Sequence, residues 1–287
     1  MEAQSVASRG THSGGVSLAS FTLRTLALTI CIACTAKAQT ADTLSGRTPL
    51  FTARDALLIG GFTLGAAAAA PVDEYLAREL QKSPRQTKLL LRNAATGFRI
   101  FGHPGAFITS AGIYLVGRID GQRRVQDLGL HAVEALVVGA FVTGTVKTVA
   151  GRARPHVDIE NSTNFALFRG WGNDDYRSFP SGHTTLAFAF ASIVSSETVR
   201  WRPGSRWVVG PIMYGAATLA GVSRMYNNEH WASDIVAGAA IGTLTSLKVF
   251  RYQHSHPGNS LDKTFLRAGI ELPNAGGWMP HLSLISR

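Results

Sequence analysis

The chain is organised as a series of apolar segments separated by short polar connections. Alanine and leucine prevail inside these segments, and runs that alternate apolar with polar residues are scarce. This pattern predicts α-helices rather than strands. The predicted helices cover residues 51–70, 73–92, 98–116, 128–146, 184–199, 207–222 and 231–250. Pro71 is expected to end the first of them, and a turn or kink at His103-Pro104-Gly105 to interrupt the third, so His103 is expected to be a loop histidine rather than a metal ligand. The sequence therefore predicts an all-α fold, a bundle of about six main helices.

The connections divide the chain into regions of one domain. Residues 1–38 have the pattern of an export signal, 39–127 hold N-terminal helices, 128–250 hold the motifs described below, and 251–287 form a polar tail. Because apolar segments continue through most of the chain, we expect the two helical regions to share one core. The longest connection among the motifs, 156–179, mixes aromatic with acidic residues. Such a loop is typical of a lid or a specificity element.

The export signal is predicted from the order of its parts. A basic stretch precedes the apolar segment 26–36, and Ala36 and Ala38 then form an A-x-A cleavage pattern. Both cysteines, Cys31 and Cys34, lie inside the apolar segment, so the mature protein would have neither a thiol nor a disulfide. An uncleaved anchor helix is the alternative, and a lipoprotein signal fits the residues less well.

The formal net charge is +10. The arginines are scattered over many connections, and no nucleic-acid motif or aromatic-basic strip accompanies them. The charge therefore indicates anionic substrates or a membrane surface rather than a nucleic acid.

A histidine and a carboxylate four residues apart begin the last predicted helix. His230 and Asp234 would share one face of that helix. A carboxylate so placed can accept the proton of one imidazole nitrogen and leave the other bare, which orients a nucleophile. The alternative is a helix cap with a surface ion pair.

Two other stretches supply groups suited to an anion. Lys147 and Arg154 lie seven residues apart, about two helical turns, after an apolar helix. The sequence Pro180-Ser181-Gly182-His183 opens the helix 184–199, where unpaired N–H groups and a glycine allow an anion to approach. If the helices 184–199 and 207–222 form an antiparallel hairpin, Arg224 returns to the same end of the bundle. The site is thus expected at one end of the core helices.

Together the three stretches have the patterns K-x6-RP, PSGH and SR-x5-H-x3-D. Over about residues 128–250 the sequence resembles the superfamily of type 2 phosphatidic acid phosphatases, bacterial class A acid phosphatases and vanadium haloperoxidases. The resemblance implies a metal-independent, cofactor-free phosphatase acting on a phosphomonoester or pyrophosphate, with a phosphorylated lipid or a small ester as substrate. It implies catalytic roles for His230 as nucleophile, His183 as general acid and base and Asp234 as orienting carboxylate, and phosphate binding by Lys147, Arg154, Ser181, Gly182 and Arg224.

Other functions remain open at this point. The same residues could hold vanadate in a haloperoxidase, with His230 as the ligand, although the chain is short for that branch. A non-catalytic module that binds lipid phosphates is the other alternative, but binding alone does not need both His183 and His230 beside Asp234. The remaining histidines show no spacing typical of a metal site. Substrate identity and oligomeric state do not follow from the sequence.

The relation to the membrane also has two solutions. A spanning helix needs about 20 apolar residues, and the predicted helices 184–199 and 207–222 are shorter than that. The resemblance implies either membrane enzymes with an external site or soluble exported ones. A cleaved signal followed by three crossings before Lys147 would place the site inside the cell. We therefore expect an exported enzyme in the periplasm or cell envelope, soluble or lying on the membrane, with an integral membrane protein as the alternative.

Overall fold

A computed structural model describes residues 51–267, and within that range the fold is all-helical, as predicted. The export signal, both cysteines and the end of the tail lie outside the described residues. The helices are α1 (Ala53–Ala69), α2 (Asp73–Gln81), α3 (Ser83–Gln86), α4 (Leu89–Ile100), α5 (Ala106–Ile119), α6 (Arg123–Ala150), α7 (Gly182–Trp201), α8 (Val209–Tyr226), α9 (Ala232–Ser255) and α10 (Ser260–Arg267).

Several helix boundaries differ from the prediction. The segment 73–92 is not one helix, because the chain leaves helical geometry at Lys82 before the short α3 and again before α4. The first α-helix ends at Ala69, just before Pro71 as predicted, but the chain continues through a 3-10 turn at Ala70–Val72 directly into α2. The core helices are also longer than predicted: α7 has 20 residues and α8 has 18.

The core lies where α6, α7, α8 and α9 pack against one another. Leu136 of α6 and Ile193 of α7 are fully buried, and each such side chain contributes about 1.5–3 kcal/mol through removal from water. Alanines and glycines let the helices approach closely. A side chain at Gly242 of α9 would collide with the backbone of Thr185 in α7.

The core helices alternate in direction, so the bundle has two distinct ends. We call one the site end: it is formed by the last turns of α6 and α8 and by the first turns of α7 and α9. The other is the far end, where α7 and α9 finish. The N-terminal helices run antiparallel to α9, because Asp55 of α1 pairs with Arg251 near the end of α9, whereas Asp73 of α2 bonds Ser233 near its beginning.

Three helical stretches in the described part of the chain are long and apolar enough to cross a membrane: Ala53–Gln81, Arg123–Ala150 and Ala232–Ser255. Large apolar side chains also point outward, for example Phe141, which is 76% exposed, and Leu57, which is 76% exposed. Exposed apolar surface of this kind is typical of contact with lipid. These features support membrane association. The sequence argument against spanning used the predicted helices 184–199 and 207–222, and these predicted lengths were shorter than those of α7 and α8.

Candidate functional site

The turn after α6 brings the cations of the first motif to the site end. Gly151 adopts the left-handed conformation with φ 57°, and a side chain there would also collide with the carbonyl oxygen of Ala166. Glycine therefore permits the sharp turn after Lys147. The Lys147 ammonium donates hydrogen bonds to the carbonyls of Arg177 and Ser178, and its Cε lies 3.5 Å from the position of a Cβ on Gly182.

The second motif forms the N-terminus of α7. Ser181 is the N-cap, and its Oγ accepts hydrogen bonds from the hydroxyl of Thr184 at 2.8 Å and from its N–H at 3.5 Å. The Ser181 N–H donates to the carbonyl of Asp234 at 3.0 Å. Gly238 keeps this contact tight, because a Cβ there would lie 2.5 Å from the Ser181 carbonyl oxygen. The first turns of α7 and α9 are thus held against each other beside Lys147.

Two arginines at the site contact carboxylates that were not among the predicted site residues. Arg154 pairs with Glu229 and, at 2.7 Å, with Asp174. Arg224 lies 3.6 Å from the same Glu229 carboxylate. Both guanidiniums are nearly buried, whereas Asp174 is exposed. Glu229 therefore stands where a bound anion would compete for the same cations.

His230 and Asp234 face each other, as predicted. Nδ1 of His230 lies 3.7 Å from Oδ2 of Asp234, which is beyond hydrogen-bonding distance, and this nitrogen is buried without a partner among the described residues. Burial, together with the nearby Lys147, lowers the pKa of His230 to about 3, against the opposing effect of Asp234. The imidazole is therefore neutral at ordinary pH, and a small ring movement would let the Asp234 carboxylate accept a hydrogen bond from Nδ1–H.

The Asp234 carboxylate is itself held by several donors. Its Oδ2 accepts from the Ser178 hydroxyl at 2.5 Å and from the Trp231 N–H at 2.9 Å, and its Oδ1 accepts from Arg152 at 2.5 Å. The bond from Trp231 is a helix cap, so the capping alternative is also realised. Asp234 is fully buried, and these bonds fix the position of its charge.

Arg152 and Asp73 belong to this network, and the sequence analysis missed both. Arg152 donates to Asp73 at 2.8 Å as well as to Asp234, and its Nε donates to the Ser162 carbonyl at 2.9 Å. Asp73 also accepts from the N–H of Ser233 at 2.9 Å and from its hydroxyl at 2.5 Å. Arg152 lies between the two cations of the first motif, which was a usable signal. Asp73 lies about 160 residues before Ser233, and no local pattern points to it.

His183 lies inside the site and is flanked by another histidine. It is close enough to Arg224, His230 and Lys147 for their charges to interact. Its ring centroid lies 5.7 Å from that of His103, which we expected to be only a loop histidine. The predicted turn at His103 is present between α4 and α5. The structure thus brings all the predicted catalytic and phosphate-binding residues to the site end.

Fold and site together define a class: an all-helical protein in which Lys147, Arg154 and Arg224 gather at one end of the bundle beside a buried histidine that faces a carboxylate. The comparisons with known proteins agree. The model of the PAP2 superfamily matches residues 128–256. The resemblance inferred from the three motifs is confirmed.

Two relatives are named as lipid A 1-phosphatases. A lipid A 1-phosphatase of Porphyromonas gingivalis is 46% identical over 69 residues, which are 23% of this chain and 14% of that protein. A lipid A 1-phosphatase of Rhizobium johnstonii is 30% identical over 124 residues, 43% of this chain and 47% of that protein. The chain therefore spans less than half of the length of either of these two relatives.

A solved structure shares the fold. The transmembrane PAP2 type phosphatidylglycerolphosphate phosphatase from Bacillus subtilis superposes with a TM-score of 0.53 at 22% identity, covering 70% of this chain and 96% of that one. This similarity extends the shared architecture beyond the region matched by the family model.

Proposed function

We propose that this protein is a metal-independent phosphatase that removes a terminal phosphoryl group from a lipid phosphate or diphosphate through a phosphohistidine intermediate. The observation that carries the proposal is the position of the buried His230 beside Asp234, where Lys147, Arg154 and Arg224 converge on the N-terminus of α7. A binding module would not need an oriented nucleophile there.

In the first step, Nε2 of His230 attacks phosphorus, because Nδ1 is the nitrogen that faces Asp234. A P–N bond forms, and the bond from phosphorus to the leaving oxygen breaks. His183 gives its proton to that oxygen. Burial and the nearby Arg224 lower the pKa of His183 to about 2 in the ligand-free protein, so the negative charge of the bound phosphate has to raise this pKa before His183 can act as the acid. Asp234 takes up a hydrogen bond from Nδ1 and stabilises the positive charge that develops on the ring.

The negative charge of the transition state is spread over the non-bridging phosphoryl oxygens. Lys147 and the two arginines would neutralise it, and the Gly182 N–H at the start of α7 would donate to one oxygen. The Ser181 hydroxyl accepts from Thr184 and keeps its own hydrogen for the phosphate. For a phosphate to bind, Glu229 must release part of its hold on Arg154 and Arg224.

In the second step a water molecule cleaves the intermediate. His183, now neutral, takes a proton from this water while its oxygen attacks phosphorus. The P–N bond breaks, His230 returns to its neutral form and inorganic phosphate leaves. The cycle balances without an external acid, base, oxidant or metal ion.

The lipid substrate is supported by the surface around the site. The helices that carry the site residues have exposed apolar faces, and three helical stretches are long enough to cross a membrane. A spanning bundle would present the site at the membrane interface, where lipid headgroups lie. The relatives named as lipid phosphatases are consistent with this substrate class.

The test is phosphate release by protein purified in detergent, with lipid diphosphates, lipid monophosphates and p-nitrophenyl phosphate compared. We expect lipid substrates to be preferred and turnover to be lost in His230→Ala. In the variant His183→Ala the enzyme should be phosphorylated slowly by the substrate. Quenching in alkali should preserve any phosphohistidine that has formed. His256→Ala, an exposed histidine at the far end, is the matched control. Full turnover by His230→Ala would refute the mechanism.

Vanadate distinguishes the haloperoxidase alternative. It mimics the five-coordinate phosphoryl transition state and should inhibit a phosphatase strongly. We expect inhibition and no oxidation of bromide when vanadate and peroxide are supplied together. Halide oxidation that depends on vanadate would reverse the assignment.

A further inference from the structure

A second cluster of polar side chains lies at the far end of the same helices. His131 of α6, Glu197 of α7 and His254 of α9 converge there: Nδ1 of His131 lies 2.7 Å and Nε2 of His254 lies 2.9 Å from one oxygen, Oε1, of Glu197. The three ligand atoms lie within 4.8 Å of one another. Side-chain exposure is 4% for His131, 1% for Glu197 and 15% for His254.

More negative charge surrounds this cluster than its hydrogen bonds neutralise. Glu134, one turn after His131, accepts a hydrogen bond from Gln253 through one oxygen, while its other oxygen is buried with no partner among the described residues. Asp262 of α10 is 8% exposed, and its Oδ1 also has no partner in residues 51–267. Buried carboxylate oxygens without donors are costly unless a cation is near.

We propose that His131, Glu197 and His254 bind a divalent transition-metal ion of the zinc type. Two imidazoles and one carboxylate are a ligand set that Zn²⁺ uses in proteins, with ligand distances of about 2.0–2.2 Å. Tetrahedral ligands at those distances are about 3.3 Å apart, so the histidine nitrogens need to move from Glu197 by only about half an ångström. A water molecule or the free oxygen of Glu134 would complete the coordination.

The cation resolves the charge imbalance of the cluster. With neutral imidazoles as ligands, a divalent ion offsets the charges of Glu197 and of one neighbouring carboxylate. His254 is the most exposed ligand, so the ion can enter from its side. Without an ion, the two imidazoles can only donate hydrogen bonds to Glu197, and the oxygens of Glu134 and Asp262 stay unsatisfied.

The ion would tie together three core helices at the end opposite the reaction centre. His131 and Lys147 are separated by 16 residues of α6, which corresponds to about 24 Å of helix at 1.5 Å per residue. The ion is too far away to touch a phosphate at His230. It would therefore stabilise the bundle and take no part in the proposed phosphoryl transfer.

Metal binding is tested on full-length protein purified in detergent with an affinity tag that lacks histidine. We expect about one zinc ion per chain by elemental analysis after dialysis, as a built three-ligand site predicts. After chelation, added Co²⁺ should restore the unfolding temperature and give the visible absorption of a tetrahedral site. Phosphatase turnover measured well below the unfolding temperature should not change on chelation.

The variants Glu197→Gln and His254→Ala should lose the bound metal and the cobalt absorption, whereas His256→Ala, two residues further on, should keep both. A wild-type protein without cobalt absorption at saturating Co²⁺ would overturn the proposal, whether or not the variants fold. Equal cobalt binding in wild type and His254→Ala would also overturn it. Loss of turnover on chelation with an unchanged unfolding temperature would place the metal at the reaction centre instead.

Discussion

Asp73→Asn is the most informative substitution, because it changes one buried oxygen at the edge of the hydrogen-bond network around Asp234. Asp73 lies outside the region matched by the superfamily model. Its Oδ2 accepts hydrogen bonds from Arg152 at 2.8 Å and from the Ser233 hydroxyl at 2.5 Å. An asparagine amide in that position would point its own N–H groups at the Arg152 donors. The hydroxyl of Ser233 can rotate to accept instead, but a guanidinium cannot.

The loss has two measurable parts. Breaking a buried ion pair on one side costs about 3–5 kcal/mol of stability. Arg152 would then turn its charge towards Asp234, its remaining carboxylate partner, and draw Asp234 away from His230. That gap is already 3.7 Å, and further misplacement by about 1 Å costs on the order of 100-fold in rate. We expect kcat to fall about 10- to 100-fold, equivalent to about 1.4–2.7 kcal/mol, with little change in KM.

The assay is steady-state phosphate release, run below the unfolding temperature of the variant. Glu74→Gln is the matched control, since Glu74 is the next residue and accepts from the Ser162 N–H and hydroxyl instead of from Arg152. The decisive comparison places Asp73→Asn in an Asp234→Asn background. If Asp73 acts through Asp234, the double variant should be no slower than Asp234→Asn alone.

Additive losses in that double variant would refute the positioning argument, and so would a normal kcat for Asp73→Asn in folded protein. A rise in KM with unchanged kcat would mean that Asp73 supports substrate binding. A loss of equal size in Glu74→Gln would mean that any disturbance of α2 slows the enzyme.

Three shorter predictions follow from the same site. Asp234→Asn should lower kcat by about 10³–10⁴-fold, because the ring loses its orientation and its counter-charge; a near-normal rate would contradict the proposed pairing. Glu229→Gln should bind inorganic phosphate and vanadate about tenfold more tightly, a gain of about 1.4 kcal/mol, because the anion that occupies Arg154 and Arg224 loses its charge; unchanged inhibition constants would contradict this. The lowered pKa of His230, about 3, means that its NMR signal in the ligand-free protein should not titrate between pH 8 and pH 5, whereas a midpoint near 6.5 would show an exposed ring.

The sequence predicted which residues meet at the site end, because each motif lies at a helix terminus and helical geometry alone turns its side chains towards that end. His230 and Asp234 are four residues apart, and Ser181 caps the helix that its own motif begins. The ends of α6 and α8 then bring Lys147 and Arg224 to the same place, because consecutive core helices alternate in direction. Local pattern and chain reversal were sufficient for these residues.

Partners that come from distant parts of the chain could not be predicted in the same way. Asp73 reaches Ser233 only because α2 packs at the start of α9. For Glu229 the sequence is equally compatible with a side chain that faces solvent and with one that pairs with an arginine. The breaks at Lys82 and before α4 were missed because the charged pattern of 73–92 suits one long amphipathic helix as well as three short ones. The metal ligands at the far end lie on three different helices and form no motif.

The two ends of the bundle also make the membrane topology testable. Asp55, at the start of α1, pairs with Arg251 near the end of α9, whereas Lys147 lies close to the beginning of α9. In a spanning bundle the residues just before α1 and the site end would therefore face opposite sides of the membrane. A cleaved signal over 1–38 would put the residues just before α1 outside the cell and the site in the cytoplasm. The superfamily resemblance implies the opposite, an external site.

We predict a spanning bundle with an external site, tested by cysteine labelling in a background that lacks Cys31 and Cys34. Leu167→Cys lies in the exposed loop at the site end, and Gln122→Cys lies in the exposed turn between α5 and α6 at the far end. A membrane-impermeant maleimide should label only the first variant in spheroplasts and both after lysis. Labelling of both before lysis would mean that the helices do not cross the membrane, as expected for an exported enzyme that is soluble or lies on the membrane. Labelling of Gln122→Cys alone would mean that the N-terminus is exported, as predicted, and that the prediction of an external site is wrong, because a spanning α9 cannot have both of its ends on one side of the membrane.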